Sequence, residues 1–195
     1  MSPIKTLAAL ALLMPLAAGA QAQTRITTGQ LTKQLNQTAE NARKVGIDVD
    51  AIRADIEARN KADGSDNAGG PPPIAKVLEG LPNFIVQIQF ELNSDVITID
   101  SWETVGRIAD AMFNPLLAGN RFLIVGHTDA RGKREANLKL SDRRAAAVAE
   151  MLTNVFRVPA NRLVSIGLGE EQLLDTNNPD DGINRRVQLI NIGPL

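Results

Sequence analysis

Cysteine is absent from the 195 residues of this chain. Its absence excludes disulfides, thiolate zinc sites, iron–sulfur clusters, a cysteine nucleophile and an N-terminal lipid-modified cysteine. The single histidine excludes a metal site built from several histidines. Tyrosine is absent too, and five phenylalanines and one tryptophan leave few rings on which single-stranded nucleic acid could stack. We therefore expect no metal, no cofactor and no nucleic-acid partner.

The charge of the chain is nearly balanced. Its 21 basic and 22 acidic residues give a formal net charge of -1, which argues against a general binder of polyanions. The length allows one domain of ordinary size, or one domain and an appendage, and such a domain can bury a core without disulfides.

Residues 1–22 have the features of a signal peptide. Lys5 supplies a positive charge, residues 7–18 form an apolar run, and Ala20-Gln21-Ala22 is a small-x-small cleavage site. The run is shorter than the ~20 residues that a membrane-spanning helix needs, although an uncleaved anchor is the alternative interpretation. No later segment is apolar enough to span a membrane as a helix, so we expect an exported protein of the bacterial periplasm.

The rest of the chain divides into three parts. Residues 23–59 are polar and compatible with helix, and we interpret them as a helical spacer. Residues 60–73 are rich in glycine, asparagine and proline, which predicts a flexible linker with a stiffer end. Residues 74–195 alternate strand-like and helix-like patterns and must hold the main core.

The helical spacer carries an apolar seam in steps of four and three residues, which is a heptad pattern. The members of the seam are Leu31, Leu35, Thr38, Ala42, Val45, Val49, Ile52 and Ile56. One interpretation is a coiled coil that self-associates or recruits an envelope protein through residues 26–56. The other is a pair of short helices folded back at Gly46, the second of them capped by Asp48 or Asp50.

The apolar patterns of residues 74–195 predict the order strand–helix–strand–helix–strand–strand. The strands are expected at 84–92, 121–125, 163–166 and 187–192, and the helices after Asp100 and over 137–156. Alternation in the first strand places Phe90 and Leu92 on its apolar face and Gln89 on the opposite, polar face. The first helix carries an apolar stripe of Trp102, Val105, Ile108, Ala109 and Met112. Asp100 and Glu103 resemble a capping box at the start of the first helix. Strands that alternate with helices of this length indicate α/β crossovers, so we predict a two-layer α/β sandwich of βαβαββ order.

Residues of opposite charge cluster where the second strand meets the second helix. Asp129 follows the strand in Gly126-His127-Thr128-Asp129, in a place where loops display ligand-binding groups. In a helix that begins near Asn137, Arg144 lies on the same face seven residues later. A carboxylate and a guanidinium held apart by a scaffold suit an amino-acid head group, because arginine binds its carboxylate and aspartate accepts from its ammonium.

Several ordered motifs carry a family resemblance over about residues 82–192. They are the Gly-His-Thr-Asp segment with Asn137 and Arg144, the segment Gly167-Leu168-Gly169-Glu170, and the triplet Asn184-Arg185-Arg186. Together they resemble the OmpA-like C-terminal domain, the peptidoglycan-binding domain of outer-membrane protein A, of the peptidoglycan-associated lipoprotein and of flagellar-motor stator proteins. The chain departs from the family at Asp180-Asp181-Gly182-Ile183, since many members carry Gly-Arg shortly before the triplet.

The resemblance implies a non-catalytic domain that binds the diaminopimelate side chain of the peptidoglycan stem peptide. It places the ligand-binding aspartate of the family on Asp129 and the arginine on Arg144. Supporting contacts are implied for Asn93, Asn137 and Arg185, and for the backbone of Thr128. The implied function is non-covalent attachment of an exported protein to the cell wall, in the periplasm or at the periphery of the outer membrane.

Other interpretations exist for the same residues. Asp129 suits a turn and Asn137 suits a helix N-cap, and Arg144 resembles the solvated charges around it, such as Arg143. A structural scaffold protein and an uncharacterised periplasmic enzyme are the alternative functions. Catalysis is disfavoured because His127 and Asp129 lie two residues apart on an extended segment and no Gly-x-Ser-x-Gly elbow is present. We expect no catalytic residue, a structural His127 and an exposed Arg143.

Overall fold

The computed structural model describes residues 27–45, 48, 50–51, 54 and 84–195. The predicted signal peptide and the predicted linker lie outside the described residues. Within the described ranges, no helix combines the length and the apolar character that crossing a membrane requires.

Strands and helices alternate along residues 84–195 in the predicted βαβαββ order. Their bounds are β1 (Phe84–Val86), α2 (Ile99–Met112), β2 (Asn120–Gly126), α3 (Arg134–Asn154), β3 (Leu163–Gly167) and β4 (Val187–Pro194), and helix α1 (Thr28–Val45) precedes them. Two short 3-10 helices cover Ala160–Arg162 and Gly182–Asn184. The predicted α/β fold class is therefore confirmed.

The sheet has the strand order β1-β4-β2-β3. Strand β4 is antiparallel to both β1 and β2, whereas β2 and β3 are parallel and are joined through α3. In this register Gly126 pairs with Gly167 on one side and with Val187 on the other. The loop after β2, the loop after β3 and the segment before β4 therefore emerge at one edge of the sheet.

The main core lies between one sheet face and the helices. Phe122 and Ile124 of β2 are fully buried there with Leu189 of β4. The helices contribute Val105, Ile108 and Met112 from α2, and Val148 and Leu152 from α3. On the opposite sheet face Leu123 and Val125 are fully buried as well, so the central strands are covered on both sides. Burial of large apolar side chains at about 1.5–3 kcal/mol each is the main stabilising contribution.

Helix α1 packs against this core. Leu31 and Leu35, the first two positions of the predicted seam, are fully buried in the same cluster as the residues of α2 and β4. The first turns of the predicted spacer are thus part of the packed domain, and a coiled coil over the later seam positions stays a prediction. Asp48 accepts hydrogen bonds from the N–H groups of Asp50 and Ala51, both at 3.0 Å, as an N-cap does.

The first strand is shorter than the alternating pattern predicts. Strand β1 ends at Val86, which pairs with Val187, the first residue of β4, so no partner strand continues beyond it. Further along, the N–H of Gln89 donates to Ser101 Oγ at 2.8 Å. The chain then turns back so that Phe90 bridges to Ile97. Leu92, expected on the buried face, is 90% exposed near the tip of this turn. The prediction of a strand to residue 92 is therefore wrong at its end.

Both predicted helix starts also differ from the structure. Helix α2 begins at Ile99 behind Thr98, with no side-chain cap, so Asp100 lies inside the first turn and the predicted capping box is wrong. Helix α3 begins at Arg134, so Asn137 lies in its first turn and is not its N-cap. Neither helix has a side-chain cap at its N-terminus, since Thr98 and Lys133 make no capping hydrogen bond.

Two glycines let α3 approach the strand ends closely. A Cβ added at Gly126 would lie 2.1 Å from the carbonyl oxygen of Ser141, and one added at Gly167 would lie 2.2 Å from the amide nitrogen of Asp142. The approach is held by Ser141 Oγ, which accepts from Gly169 N–H at 2.8 Å. It brings the middle of α3, and with it Arg144, to the edge where the loops converge.

Candidate ligand-binding site

Asp129 lies in the loop after β2 with its carboxylate nearly buried. Its Oδ2 accepts a hydrogen bond from Arg185 Nη1 at 2.5 Å and lies 3.5 Å from Arg131 Nε. Its Oδ1 accepts from the Arg131 N–H at a longer 3.3 Å. The side chain of Asp129 is 11% exposed, whereas that of Arg185 is 46% exposed. This is a partly desolvated ion pair between segments that are 56 residues apart in the chain.

Arg144 projects from α3 and is held on two sides. Its guanidinium carbon lies 4.9 Å from the centroid of the Phe90 ring, and its Nε donates to the carbonyl oxygen of Ser94 at 3.0 Å. Burial lowers the pKa of Arg144, and nearby Arg185 lowers it further, while Asp129 and Asp95 act in the opposite direction. Arginine remains a cation even so, so burial makes a bound anion more favourable here than at the open surface.

The terminal nitrogens of Arg144 are available to a ligand. The hydrogen bond to Ser94 is made by Nε. Neither Nη atom makes a hydrogen bond or an ion pair with any of the described residues. The neighbouring Arg143 is 55% exposed and lies 4.0 Å from Asp95, which confirms its expected exposure. The helix therefore turns Arg144 into the site and Arg143 away from it.

A cleft of about 560 Å³ opens beside these groups. It is lined by Gln87, Ile88, Gln89, Phe90, Arg144, Asp181, Gly182, Ile183 and Arg185. The volume lies within the range of small-molecule sites. Arg144 and Arg185 line the cleft directly, and Asp129 lies behind Arg185 as its ion-pair partner.

Asn137 supports the loop that carries Asp129. Its Nδ2 donates to the carbonyl oxygens of Asp129 at 3.3 Å and of Arg131 at 3.0 Å, and also to the carboxylate of Glu170. An amide nitrogen carries two hydrogens, so these acceptors occupy its donor capacity. The structure thus places Asn137 next to Asp129 but bonded to the chain itself, with a positioning role.

The remaining two predicted site residues, Thr128 and Asn93, do not line the cleft. Thr128 is 2% exposed, and its N–H donates to the carbonyl oxygen of Gly169 at 2.9 Å, so that donor is occupied. Asn93 is exposed, with a positive φ of 52° in the turn before Ser94, whose carbonyl accepts from Arg144. The structure brings Asp129, Arg144 and Arg185 together, whereas Asn93 is exposed in the turn beside Ser94 and Thr128 is buried.

The two adjacent arginines just before strand β4 have different environments. Arg185 faces the cleft, whereas Arg186 is 5% exposed and donates to the carbonyl oxygens of Asn184 at 3.2 Å and Gln172 at 2.8 Å. Burial lowers the pKa of Arg186 to about 10. Arg186 is therefore a structural cation, and Arg185 is the one that a ligand can reach.

The serine, histidine and aspartate that a catalytic triad requires are present as Ser141, His127 and Asp129, but they do not form one. His127 is 1% exposed, its Nε2 lies 3.2 Å from Gln188 Oε1, and burial together with nearby Arg186 lowers its pKa to about 3. Ser141 Oγ donates to the carbonyl oxygen of Leu138 at 2.8 Å, not to His127. In the part of the chain that the structure describes, no group of three histidine, cysteine or acidic residues could hold a metal ion.

Residues 89–186 match the model of the OmpA family. The chain belongs to this family. It is 31% identical to outer membrane porin F of Pseudomonas aeruginosa over 124 residues, which cover 63% of this chain and 34% of the porin. It is 37% identical to the peptidoglycan-associated lipoprotein of Brucella melitensis over 86 residues, 44% of this chain and 49% of that protein. The chain thus spans less than half the length of either relative.

A solved structure similar to this chain is the peptidoglycan-associated lipoprotein from Burkholderia pseudomallei. The match covers 53% of this chain and 87% of that one, at 26% identity and a TM-score of 0.46.

Sequence reasoning missed several residues that build the cleft. Phe90 and Gln89 lie on opposite faces of the predicted strand, yet both line the cleft because the chain leaves the sheet after Val86. Asn184 was noted only as part of a motif, but it is fully buried and organises the loop before β4. The acidic pair before the triplet was a visible signal, and Asp181 of that pair lines the cleft.

Proposed function

We propose that this protein binds peptidoglycan non-covalently through the free amino-acid head group of diaminopimelate in the stem peptide, and that it acts without catalysis. Membership of the OmpA family and the similarity to peptidoglycan-associated lipoproteins support this proposal. The protein would attach to the cell wall in the periplasm, at the periphery of the outer membrane.

The observation that carries the proposal is the state of Arg144. Phe90 and the Ser94 carbonyl hold its guanidinium, and both Nη groups are left for a ligand. A guanidinium fixed in this way binds a carboxylate bidentately at a smaller entropy cost than a mobile one. Arg144 is thus prepared for the carboxylate of an amino-acid head group.

Asp129 supplies the acceptor for the ammonium. Arg185 occupies its Oδ2, while among the described residues Oδ1 accepts only the 3.3 Å contact from Arg131 N–H. An ionised carboxylate has about four lone-pair sites, so it can accept from an ammonium beside Arg185 or in exchange for it. Arg185 is half-exposed, so solvent can replace its ion pair if the ligand's ammonium takes its place on Asp129.

Binding to purified sacculi tests the proposal. We expect Arg144→Ala and Asp129→Ala each to abolish co-sedimentation, with a loss of ~2–5 kcal/mol, because each leaves a desolvated partner charge unpaired. Arg143→Ala is the matched control, since it removes the same type of charge from the adjacent, exposed position. Arg144→Lys tests geometry, because it keeps the charge and loses the planar donors.

Folding of each variant is checked by far-UV circular dichroism and urea unfolding. If either alanine variant is folded and still binds sacculi as strongly as the wild type, the proposed site is refuted. Sacculi that lack diaminopimelate separate the ligand from the wall as a whole, and binding to them at full strength would exclude the head group as the determinant.

Self-association or partner binding through residues 26–56 is retained as an alternative role of the helical segment. Leu31 and Leu35 are buried in the domain, so such an interaction would have to use the later seam positions. Linking several wall-binding domains in this way would raise their avidity.

A further inference from the structure

Three charged side chains line the cleft, and one of them is already neutralised. Arg185 forms its ion pair with Asp129, which lies behind it. Arg144 keeps its Nη groups unbonded, and Asp181 forms no ion pair within the described residues. The cleft therefore offers a ligand one uncompensated cation and one uncompensated anion. A zwitterion matches this arrangement better than a simple anion does.

The loop before β4 holds Asp181 in place. Its N–H donates to the carbonyl oxygen of Asn178 at 3.0 Å, and its own carbonyl accepts from Asn184 N–H at 3.1 Å. Its Oδ1 accepts from Ile183 N–H at 2.8 Å, as the cap of the short 3-10 helix. One carboxylate oxygen thus orients the side chain, and Oδ2 accepts no hydrogen bond from the part of the chain that the structure describes, so it remains for another donor.

The capping role does not require a charge. An asparagine oxygen accepts the same hydrogen bond about as well as an aspartate oxygen does. The adjacent Asp180 has the same charge but does not line the cleft, and its carbonyl oxygen accepts from Arg131 Nη2 at 2.6 Å. The loop therefore contains two neighbouring carboxylates, of which only Asp181 adds its charge to the cleft.

We propose that Asp181 is a specificity-determining residue, a second carboxylate that shares the ligand's ammonium group with Asp129. This inference rests on the proposed function. An ammonium has three donors, so two carboxylates can bind it at the same time. Asp181 then makes the cleft selective for a free amine, because an acylated amine, as in a cross-linked stem peptide, has neither the charge nor the donors.

Titration of the full chain with meso-diaminopimelate and with pimelate, the diacid that lacks both amines, tests this role. In Asp181→Asn the cap to Ile183 is kept and only the charge is removed. We expect diaminopimelate to bind about threefold to fivefold more weakly to this variant at low salt, and pimelate to bind no more weakly than to the wild type. Asp180→Asn, the matched control, should leave both affinities unchanged.

The outcomes separate this inference from the proposal it rests on. If wild type binds diaminopimelate and Asp181→Asn behaves like Asp180→Asn, Asp181 has no such role and the proposed function stands. Equal weakening for both ligands would show that Asp181 acts through the loop conformation, which also overturns the inference. A wild type that binds neither diaminopimelate nor sacculi refutes both.

Discussion

Replacing Asn184 by alanine should loosen the loop that carries Asp181 and Arg185. The side chain of Asn184 is fully buried and makes five hydrogen bonds to the backbone of that loop. Its Oδ1 accepts from the N–H groups of Leu174 at 2.8 Å and Asp175 at 2.9 Å. Its Nδ2 donates to three carbonyl oxygens, those of Asp175, Asn178 and Pro179, at 3.4, 3.0 and 3.1 Å.

The expected loss in the free energy of unfolding can be estimated from these five hydrogen bonds. Each contributes about 0.5–1.5 kcal/mol net, and the 3.4 Å contact contributes least. Part of the loop is exposed, so water replaces some of the lost partners and reduces the cost. We expect Asn184→Ala to lower the free energy of unfolding by about 2–4 kcal/mol. Sacculus binding should weaken as well, because the loop sets the position of Arg185.

Urea unfolding followed by circular dichroism measures this change. Asn178→Ala is the control, since the side chain of Asn178 is exposed and, within the described ranges, bonds only to Asp175 Oδ2. Asn184→Asp separates the two halves of the amide, because it keeps the acceptor and turns a second, charged oxygen toward three carbonyls. We expect it to destabilise at least as much as alanine at neutral pH. An Asn184→Ala variant within 0.5 kcal/mol of wild type, a margin of about the size usual for surface substitutions, would refute the reasoning.

Two further predictions concern stability. Gly126→Ala should lower the free energy of unfolding by at least about 1–3 kcal/mol, because the added Cβ would lie 2.1 Å from the Ser141 carbonyl oxygen. Gly119→Ala is the control and should leave it unchanged, because its Cβ would meet no described atom within 4 Å. Equal urea denaturation midpoints for the two variants would contradict the close approach of α3. The pKa of His127 falls from 6.5 to about 3 on folding. The unfolded chain therefore binds a proton at this residue between these values, and stability should fall as the pH drops below 6.5, by about 2 kcal/mol from pH 7 to pH 5. His127→Gln should remove this slope in urea titrations at the two pH values, and an unchanged slope would show that other groups cause it.

The periodic patterns of apolar residues were sufficient to predict the order of the helices and strands and much of the core. The spacing of five residues predicted the buried face of α2, namely Trp102, Val105, Ile108, Ala109 and Met112. Four of these side chains are buried, whereas Trp102, at the start of the stripe, is 48% exposed. A helical stripe or an alternating strand is a local property of the chain, so neighbours in sequence carry its signal. The same logic failed at Leu92, where the chain leaves the sheet and folds back to bridge Phe90 with Ile97. It also failed at the starts of α2 and α3, neither of which has the side-chain cap that a local motif would predict.

The candidate site divides in a similar way. Asp129 and Arg144 were found from a strand–loop–helix segment, whose geometry the sequence specifies over a few turns. That Asp129 is paired with Arg185 was not predictable from spacing, because the two are 56 residues apart and meet only when β4 lies beside β2. Arg144 likewise receives its orientation from Phe90 and Ser94, which precede it by about 50 residues.

The sequence by itself determined the order of the elements, the apolar faces of most of them and the charged residues that the family pattern marks, because each of these depends on side chains close together in the chain. Only the tertiary structure decided that Asn137 and Thr128 bond to the chain itself, that Arg185 and not Arg186 is within reach of a ligand, and that Asp181 lines the cleft. Partner choice among polar groups depends on which atoms come within about 3 Å of each other. Sheet order and helix packing set those distances, and neither is a property of the local sequence.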